Sequence, residues 1–271
     1  MREFDLYIVP TPIGNLGDMT NRAIEVLRFV DVIACEDSRN TQKLLNHFSI
    51  STKCISYHKF NERERVNQFI NLINEGKKIA LVSDAGTPLF CDPGAILVKE
   101  LKESGARITA LPGANAVATF LSQVPRENEE YTFIGFLPKS KKQIVEIIAK
   151  HKSTNLIFYE SPKRLVETLK VISEFNMNAI VSVGRELTKV FEEVITDNVK
   201  RIINHFSIDD VRGELVVMVH PINMKNSAEE YSDKIKILKE KNFSDKDISV
   251  ILSVLYDIPK NDIYECLLDK K

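Results

Sequence analysis

Short, mostly apolar runs alternate with longer amphipathic stretches over the first 115 residues. The stretches repeat apolar residues every three or four positions, as in an Asn61-capped helix from Val66 to Ile73 and a short helix at Thr41–Phe48. The runs read as buried strands, which are Leu6–Val9, Val32–Cys35, Lys53–Tyr57, Ile79–Val82 and Arg107–Leu111. Five strands with helical crossovers predict a mostly parallel sheet covered on both faces.

A different order of elements begins at residue 129. The step from Gly184 to Val190 is too short for a crossover helix, so at least one strand pair is antiparallel. The predicted strands are Tyr131–Phe136, Asn155–Tyr159, Ala179–Val183, Val190–Ile195 and Glu214–Val219, and the predicted helices are Lys141–Lys150, Pro162–Phe175 and Asn198–His205. This part is expected to be a second α/β domain with a mixed sheet, reached through a polar linker at Val124–Glu130.

The last segment carries no strand pattern. Apolar positions at Ile248, Ile251 and Leu255 are typical of short helices, of which we expect two or three. The predicted domains are therefore 1–123, an N-terminal α/β domain, 124–222, a second α/β domain, and 223–271, a small helical C-terminal extension.

Composition narrows the class of protein. Of the 271 residues 44% are hydrophobic, and 37 Lys and Arg against 38 Asp and Glu exclude a strongly basic surface overall but not a local basic patch. Four scattered cysteines and five histidines form no zinc-binding pattern, so we expect no metal and a reducing compartment. The longest apolar run is five residues, Leu215–Val219, where a membrane span needs roughly 20, and the N-terminus lacks a signal-peptide core. We expect a cytoplasmic protein without a membrane segment.

Two long loops follow predicted parallel strands. Pro10–Asp18 has nine residues and Ser83–Pro93 has eleven, whereas such loops usually have roughly two to six. Both lie where α/β sheets bind ligands, and their Gly and Ala residues allow a ligand to approach the backbone. Leu111–Ala116 is a third junction, whose small residues would let the N-terminus of the next helix approach a ligand, and an ordinary Pro-Gly turn is the alternative. The chain has neither G-x-G-x-x-G nor a P-loop, so the ligand is held in some other way.

Several motifs in these loops and in the second domain resemble one family. They are Tyr7–Asp18, Glu36–Arg39, Leu81–Pro88, Pro112–Gly113, Gly135–Pro138, Phe158–Leu165, Arg185–Lys189 and Arg212–Glu214. In this order they resemble the tetrapyrrole-methylase superfamily over residues 4–220. Within it, they are similar to members that methylate the 2′-oxygen of a cytidine ribose in the decoding region of 16S rRNA.

The resemblance implies a homodimer that binds S-adenosyl-L-methionine in the cleft between two α/β domains, and 16S rRNA of the small ribosomal subunit as substrate. The cofactor contacts that it implies are Pro12, Asp84, Ala85, Gly86, Thr87, Asn115, Ala116, Phe136, Leu137, Tyr159, Glu160, Gly213 and Glu214. The chain departs from the family at Ala114 and Asn115, where Pro and then Cys or Ser are frequent. It also has Lys139, Lys141 and Lys142 where several Arg are frequent, and lysine binds phosphate without the bidentate geometry of arginine.

Methyl transfer from a sulfonium to a ribose hydroxyl needs no metal, because the leaving group is neutral. The hydroxyl proton must depart, so a base within hydrogen-bond reach is expected to speed the reaction roughly 10²- to 10⁴-fold. Four carboxylates follow predicted strands, namely Glu36, Asp37, Glu160 and Glu186. Each is a candidate base, and the more frequent role of such a carboxylate is a helix cap or an ion pair, here with Arg39, Lys163 or Arg185. The sequence does not decide which carboxylate is the base.

An RNA substrate requires cations. Residues 138–170 contain eight Lys or Arg against three Glu, and the candidate RNA contacts are Arg39, Lys139, Lys141, Lys142, Lys163 and Arg164. The alternative is a solvated helix face. Tyr57, Phe60 and Phe90 are candidates for stacking on an unpaired base.

Two other functions stay open at this point. One is a methyltransferase of the same superfamily that acts on a tetrapyrrole or another small molecule. The other is a non-catalytic ribosome-binding factor with S-adenosylmethionine as effector.

Overall fold

Two five-stranded sheets form the framework of the protein in a computed structural model. The structure describes residues 3–127, 129–208, 210–222 and 232–256, together with 260, 263 and 267. The chain divides into two compact units, Met1–Pro221, which contains both sheets, and Ile222–Lys271. The predicted boundary at residues 123 and 124 falls between the two sheets and stays a prediction.

The first sheet is entirely parallel, with strand order β3-β2-β4-β1-β5. Its strands are β1 (Leu6–Ile8), β2 (Val32–Cys35), β3 (Lys53–Ser56), β4 (Ile79–Val82) and β5 (Ile108–Ala110). The helices are α1 (Asn21–Phe29), α2 (Ser38–His47), α3 (Glu62–Asn74), α4 (Ala95–Glu103) and α5 (Ala116–Leu121). One core cluster includes Tyr7 and Ile33, and a second includes Leu6 and Phe69, so both faces of the sheet are covered, as predicted.

The second sheet is mixed, with strand order β6-β7-β10-β8-β9. Its elements are β6 (Tyr131–Phe136), α6 (Lys141–Lys150), β7 (Asn155–Glu160), α7 (Pro162–Phe175), β8 (Ile180–Arg185), β9 (Glu193–Asn198), α8 (Val199–Phe206) and β10 (Leu215–Val219). Strands β6 and β7 are parallel, whereas β8 and β9 form an antiparallel pair. The predicted fold class, two α/β domains with one parallel and one mixed sheet, is therefore confirmed.

Most element boundaries lie within one or two residues of the sequence prediction, and the starts of α2 and β9 differ from it by three. Helix α2 begins at Ser38 instead of Thr41, because the Asp37 side chain accepts a hydrogen bond from the backbone N–H of Arg39 and caps the helix. Strand β9 begins at Glu193 instead of Val190, and Val190 is 94% exposed in the turn before it. That apolar position imitates a strand pattern although it lies in solvent.

The second unit contains two described helices, α9 (Ser232–Glu240) and α10 (Asp245–Tyr256). Its apolar core includes Ile235, Ile248, Leu252, Ile263 and Leu267. Within the described residues, no helix combines the length and the apolar content that crossing a bilayer requires.

Candidate functional site

A cleft lies between the two sheets of the first unit. Strands β1, β4 and β5 end at one of its walls, and the ends of β7 and β8 and the start of β10 form the other. Strand β10 is antiparallel to both neighbours, so its first residue, Leu215, lies opposite Glu160 and Arg185. The cavity has a volume of about 360 Å³. Its lining residues are Ile13, Ala85, Gly86, Thr87, Phe90, Cys91, Asp92, Asn115, Ala116, Phe136, Tyr159, Glu160, Ser161, Pro162, Leu187, Gly213, Glu214, Leu215 and Val216.

The two long loops after β1 and β4, Pro10–Asp18 and Ser83–Pro93, are joined to each other at this cleft. The backbone N–H groups of Thr11 and Gly86 each donate to the other residue's carbonyl over 2.9 Å, and Thr11 Oγ1 donates to the carbonyl of Ser83. Gly86 has a φ of +78°, a conformation that side-chain-bearing residues rarely adopt. The loops therefore form one rigid wall instead of two independent turns.

The third junction is held by side chains of its own. Thr87 Oγ1 donates to the Ala114 carbonyl over 2.9 Å, which ties the second loop to the third. Asn115 Oδ1 accepts hydrogen bonds from the N–H groups of Val117 and Ala118 and caps α5. The asparagine therefore occupies these two N–H groups, and the approach of this helix end to a ligand stays a prediction.

Aromatic side chains line the mouth of the cleft. Phe90 of the first half stacks on Phe133 of β6, with ring centroids 4.7 Å apart. Phe136, which is 62% exposed, packs against Tyr159 with centroids 5.5 Å apart. Burial raises the pKa of the Tyr159 phenol, and the nearby Cys91 adds to the shift, so the phenol stays protonated. The mouth of the cleft therefore presents uncharged aromatic rings.

An ion-pair network joins the other side of the cleft. Lys189 Nζ contacts carboxylate oxygens of Glu186 at 2.7 Å and of Glu214 at 3.0 Å. Gly213 has a φ of +93°, and a Cβ atom on it would collide with the Glu186 side chain. The side chain of Lys189 also covers Gly14 of the first loop, where a Cβ atom would lie 2.5 Å from Lys189 Cγ. This network therefore holds the loop after β8 against the Pro10–Asp18 loop of the first sheet.

Most of the predicted cofactor contacts lie around the same cavity. Those that line it are Ala85, Gly86, Thr87, Asn115, Ala116, Phe136, Tyr159, Glu160, Gly213 and Glu214. Three do not. Leu137 is buried at 3% exposure, while Pro12 and Asp84 line a separate groove of about 240 Å³ beside α2. There Asp84 accepts hydrogen bonds from the Asp37 backbone and the Asn40 side chain. Their role as contacts stays a prediction.

Some lining residues were not predicted as cofactor contacts from the sequence, although Phe90 was a candidate for stacking on a base. They are Ile13, Phe90, Cys91, Asp92, Ser161, Pro162, Leu187, Leu215 and Val216. The unusual length of the Ser83–Pro93 loop was a signal for Phe90, Cys91 and Asp92, which form its second half. Leu215 and Val216 reach the cleft through the register of β10, which no local pattern indicates.

Two of the four candidate bases are engaged in surface ion pairs. Asp37 accepts from both the backbone and the guanidinium of Arg39, and these hydrogen bonds lower the pKa of Asp37 to about 2. Burial opposes ionisation of Glu186, but hydrogen bonds from Lys189 and from the Glu214 backbone outweigh it and lower the pKa of Glu186. The structural role that the sequence offered as the alternative, a helix cap or an ion-pair partner, therefore describes Asp37 and Glu186.

Glu160 and Glu36 differ from those two. The Glu160 side chain is 1% exposed, and its oxygens accept from the Ser161 N–H at 2.8 Å and from Thr168 Oγ1 at 2.7 Å, with Arg164 Nη2 3.5 Å away. It stabilises the junction of β7 and α7. Glu36 is half-buried, does not line the cavity, and has a pKa raised by burial and then by the neighbouring carboxylates.

A substitution at Thr168 tests the structural role of Glu160. Thr168→Val is expected to lower the free energy of unfolding by about 1–3 kcal/mol, because it removes a hydrogen bond to a buried carboxylate. Thr168→Ser is the matched control, since it keeps the hydroxyl. Chemical denaturation measures both variants, and equal stability of Thr168→Val and the wild type would contradict this role.

The candidate RNA contacts separate into engaged and exposed side chains. Arg164 donates to the carbonyls of Leu137 and Pro138 and thus braces the chain after β6. Lys141 is in an ion pair with Glu174, Lys142 lies 4.0 Å from Glu146, and Arg39 contacts Asp37. Lys139 and Lys163 are exposed and form no ion pair within the part of the chain that the structure describes.

The aromatic candidates separate in the same way. Tyr57 is 1% exposed and its hydroxyl donates to Glu62, so its ring belongs to the core and is closed to a base. Phe90 is 42% exposed at the cleft, and Phe60 is 95% exposed beside His58. Across the described ranges, no three His, Cys, Asp or Glu side chains are grouped as metal ligands.

Comparison with known proteins identifies the family. Residues 5–203 match the model of the tetrapyrrole (corrin/porphyrin) methylases. The chain is 39% identical to ribosomal RNA small subunit methyltransferase I of Bacillus subtilis (strain 168), covering 96% of this chain and 92% of that protein.

Solved structures share the fold at low identity. Cobalt precorrin-4 methyltransferase, a cobalamin biosynthetic enzyme, is 18% identical with a TM-score of 0.59, covering 79% of this chain and 94% of its own. Uroporphyrin-III C-methyl transferase from Thermus thermophilus, complexed with S-adenyl homocysteine, is 13% identical with a TM-score of 0.54, covering 79% of this chain and 96% of its own. The chain therefore belongs to the tetrapyrrole methylase family and, within it, to the ribosomal RNA small subunit methyltransferase I group.

Proposed function

We propose that the cleft binds S-adenosylmethionine and that the protein transfers its methyl group to the 2′-oxygen of a cytidine ribose in the decoding region of 16S rRNA. The observation that carries this proposal is the convergence of ten predicted cofactor contacts around one cavity. Membership of the ribosomal RNA small subunit methyltransferase I group supports the RNA substrate.

The cleft suits this cofactor in size and in character. A cavity of about 360 Å³ lies in the usual range for small-molecule sites, roughly 300–1,000 Å³. Ile13, Leu187 and Val216 supply apolar surface for the adenine and the methionine chain. The N–H groups of Ala85 and Thr87 and the peptide group of Gly213 supply donors and acceptors, since those of Gly86 and Glu214 are bonded to Thr11 and Glu186. When bound, S-adenosylmethionine supplies an electrophilic methyl group on a sulfonium. The walls hold it in line with the incoming hydroxyl, and orientation of this kind contributes several kcal/mol to the rate.

The cations at the edge of the cleft support an RNA substrate. Since β6 and β7 are parallel, the helices that follow them, α6 and α7, both begin at the edge of the sheet that faces the cleft. Lys139 and Lys163 lie at these two starts and are exposed. We propose that they contact RNA phosphates, with Arg39, Lys141 and Lys142 adding positive charge around them and Arg164 acting mainly as a brace.

A tetrapyrrole substrate is the nearest alternative. It has the support of the solved structures, but those are 13–18% identical and therefore inform on the fold alone. Exposed Phe60 and Phe90 suit either a base or a macrocycle, whereas the lysines at the starts of α6 and α7 favour a polyanion with spaced charges. The remaining alternative, a ribosome-binding factor with the cofactor as effector, predicts binding without methyl transfer.

We also propose that the protein is a homodimer, which the resemblance implies. We propose that it acts in the cytoplasm, where small ribosomal subunits assemble. Sedimentation equilibrium of the purified chain tests the dimer, and a single species at the mass of one chain would contradict it.

The experiment that tests the function uses labelled methyl donor and assembled small subunits. We expect label on one cytidine ribose of the decoding region, located by nuclease mapping of the 16S rRNA. Label on a base, or on no nucleotide at all, would contradict the proposed activity, and tight binding of a porphyrin with methyl transfer to it would favour the small-molecule alternative.

A further inference from the structure

We propose that Asp92 accepts the proton of the ribose 2′-hydroxyl during methyl transfer. The inference rests on the proposed function and adds the base that the sequence left open. Asp92 was not among the sequence candidates, and it lies in the second half of the long loop after β4, on the wall of the cleft.

The carboxylates that line the cavity leave one acceptor. Within the described residues they are Asp92, Glu160 and Glu214. Glu160 uses both oxygens for Ser161 and Thr168 inside the protein. Glu214 is in an ion pair with Lys189 and its side chain is 71% exposed. Asp92 is half-buried, has no cation as a partner in the described part of the chain, and is bonded to the Ser83 hydroxyl alone among side chains there. One such donor leaves a carboxylate oxygen available to the reacting hydroxyl.

The surroundings of Asp92 favour its role as a base. Burial raises the pKa of Asp92, a hydrogen bond with Ser83 partly offsets this, and the nearby Asp84 raises it further. The other titratable groups around it are Glu36 at the end of β2, Cys91 beside it and Tyr159 on β7, and none of them carries a positive charge. A carboxylate destabilised in this way holds a proton more strongly, which makes it a better general base.

The step balances without a further reactant. The 2′-oxygen forms a bond to the methyl carbon as the bond from sulfur to that carbon breaks, and the electron pair of the broken bond stays on sulfur, which becomes a neutral thioether. The hydroxyl proton moves to a carboxylate oxygen of Asp92, which later releases it to solvent. A neutral leaving group needs no acid, so a single base completes the reaction.

Two measurements on Asp92→Asn test the role. Single-turnover transfer of labelled methyl to small subunits is expected to slow roughly 10²- to 10⁴-fold. Calorimetric affinity for S-adenosylmethionine is expected to stay unchanged, because the substitution keeps shape and polarity. Glu103→Gln, at the far end of α4 from this loop and exposed, is the control with unchanged rate and affinity.

The pH profile separates Asp92 from its neighbour Glu36. The wild-type rate is expected to fall as pH is lowered through the raised pKa of Asp92, since only the ionised carboxylate accepts a proton, and to level off above it. Glu36→Gln is expected to retain this fall and Asp92→Asn to lose it. A profile lost in Glu36→Gln and kept in Asp92→Asn would overturn the assignment.

Two further outcomes overturn the inference in other ways. If Asp92→Asn transfers methyl at the wild-type rate, Asp92 is not the base although the proposed function stands. If it loses donor affinity by the same factor as rate, Asp92 binds the donor and does not act in the chemical step. If the wild type itself transfers no methyl group, the proposed function fails first, and that result is distinct from both.

Discussion

Gly86→Val is expected to reduce the affinity for S-adenosylmethionine at least about 100-fold while the protein still folds. A Cβ atom at this position lies 3.2 Å from Ile13 Cγ2 and 3.7 Å from the Ala114 carbonyl oxygen, and Ile13 lines the cavity. The substitution also places a β-branched residue at a φ of +78°, so the bridge to Thr11 is strained. Both effects move the wall that the donor is proposed to contact.

Gly76→Val is the matched control for this variant. Gly76 has a φ of +80°, and nothing lies within 4 Å of a Cβ atom there, so the two variants share the backbone strain and differ in location. Calorimetric titration with S-adenosylmethionine and thermal unfolding are measured on both. Equal donor affinities for Gly86→Val and Gly76→Val would contradict the assignment of this loop to the cofactor site.

Replacing Lys139 and Lys163 together by Glu is expected to weaken binding to the small subunit roughly 10- to 100-fold and to flatten its salt dependence. Both side chains are exposed at the helix starts beside the cleft and form no ion pair with the other residues that the structure describes. Each lost phosphate contact lowers the slope of log K against log salt by about 1, so the double variant is expected to lose about 2. Filter binding at a series of salt concentrations measures the slope.

Two lysines at the opposite end of α6, away from the cleft, provide the control. Lys150, at the other end of α6, and the nearby Lys152 carry the same charge and are also exposed. Lys150→Glu with Lys152→Glu changes the net charge of the protein by the same amount, yet it is expected to leave the slope near the wild-type value. If both double variants flatten the slope equally, RNA is attracted by the net charge of the protein and not by the lysines at the edge of the cleft.

The strands and the loops that carry the site follow from local patterns. Buried parallel strands such as Ile79–Val82 are continuous apolar runs, and the mixed second sheet follows from the short step after Gly184. The long loops mark the carboxyl edge of the sheet because compact domains rarely tolerate them without a reason. Val190 is the exception, because an exposed valine in a turn has the same hydrophobicity as a valine in a buried strand.

The chemical roles of the carboxylates depend on contacts that are distant along the chain. Glu160 is satisfied by Thr168, eight residues away, and Glu214 by Lys189, 25 residues away. A carboxylate at the end of a strand therefore looks like a base from the sequence whether it is bonded inside the protein or open to the substrate. Asp92 and Asp84 belong to one loop, yet the path of that loop sends the first into the cleft and the second toward α2.

The most direct test of the cofactor site is a crystal structure of the protein soaked with S-adenosylhomocysteine. Density for the ligand is expected between the two sheets, within contact distance of Ala85–Thr87 on one wall and of Gly213–Glu214 on the other. Density on an outer face of either sheet, with this cavity filled by water alone, would contradict it.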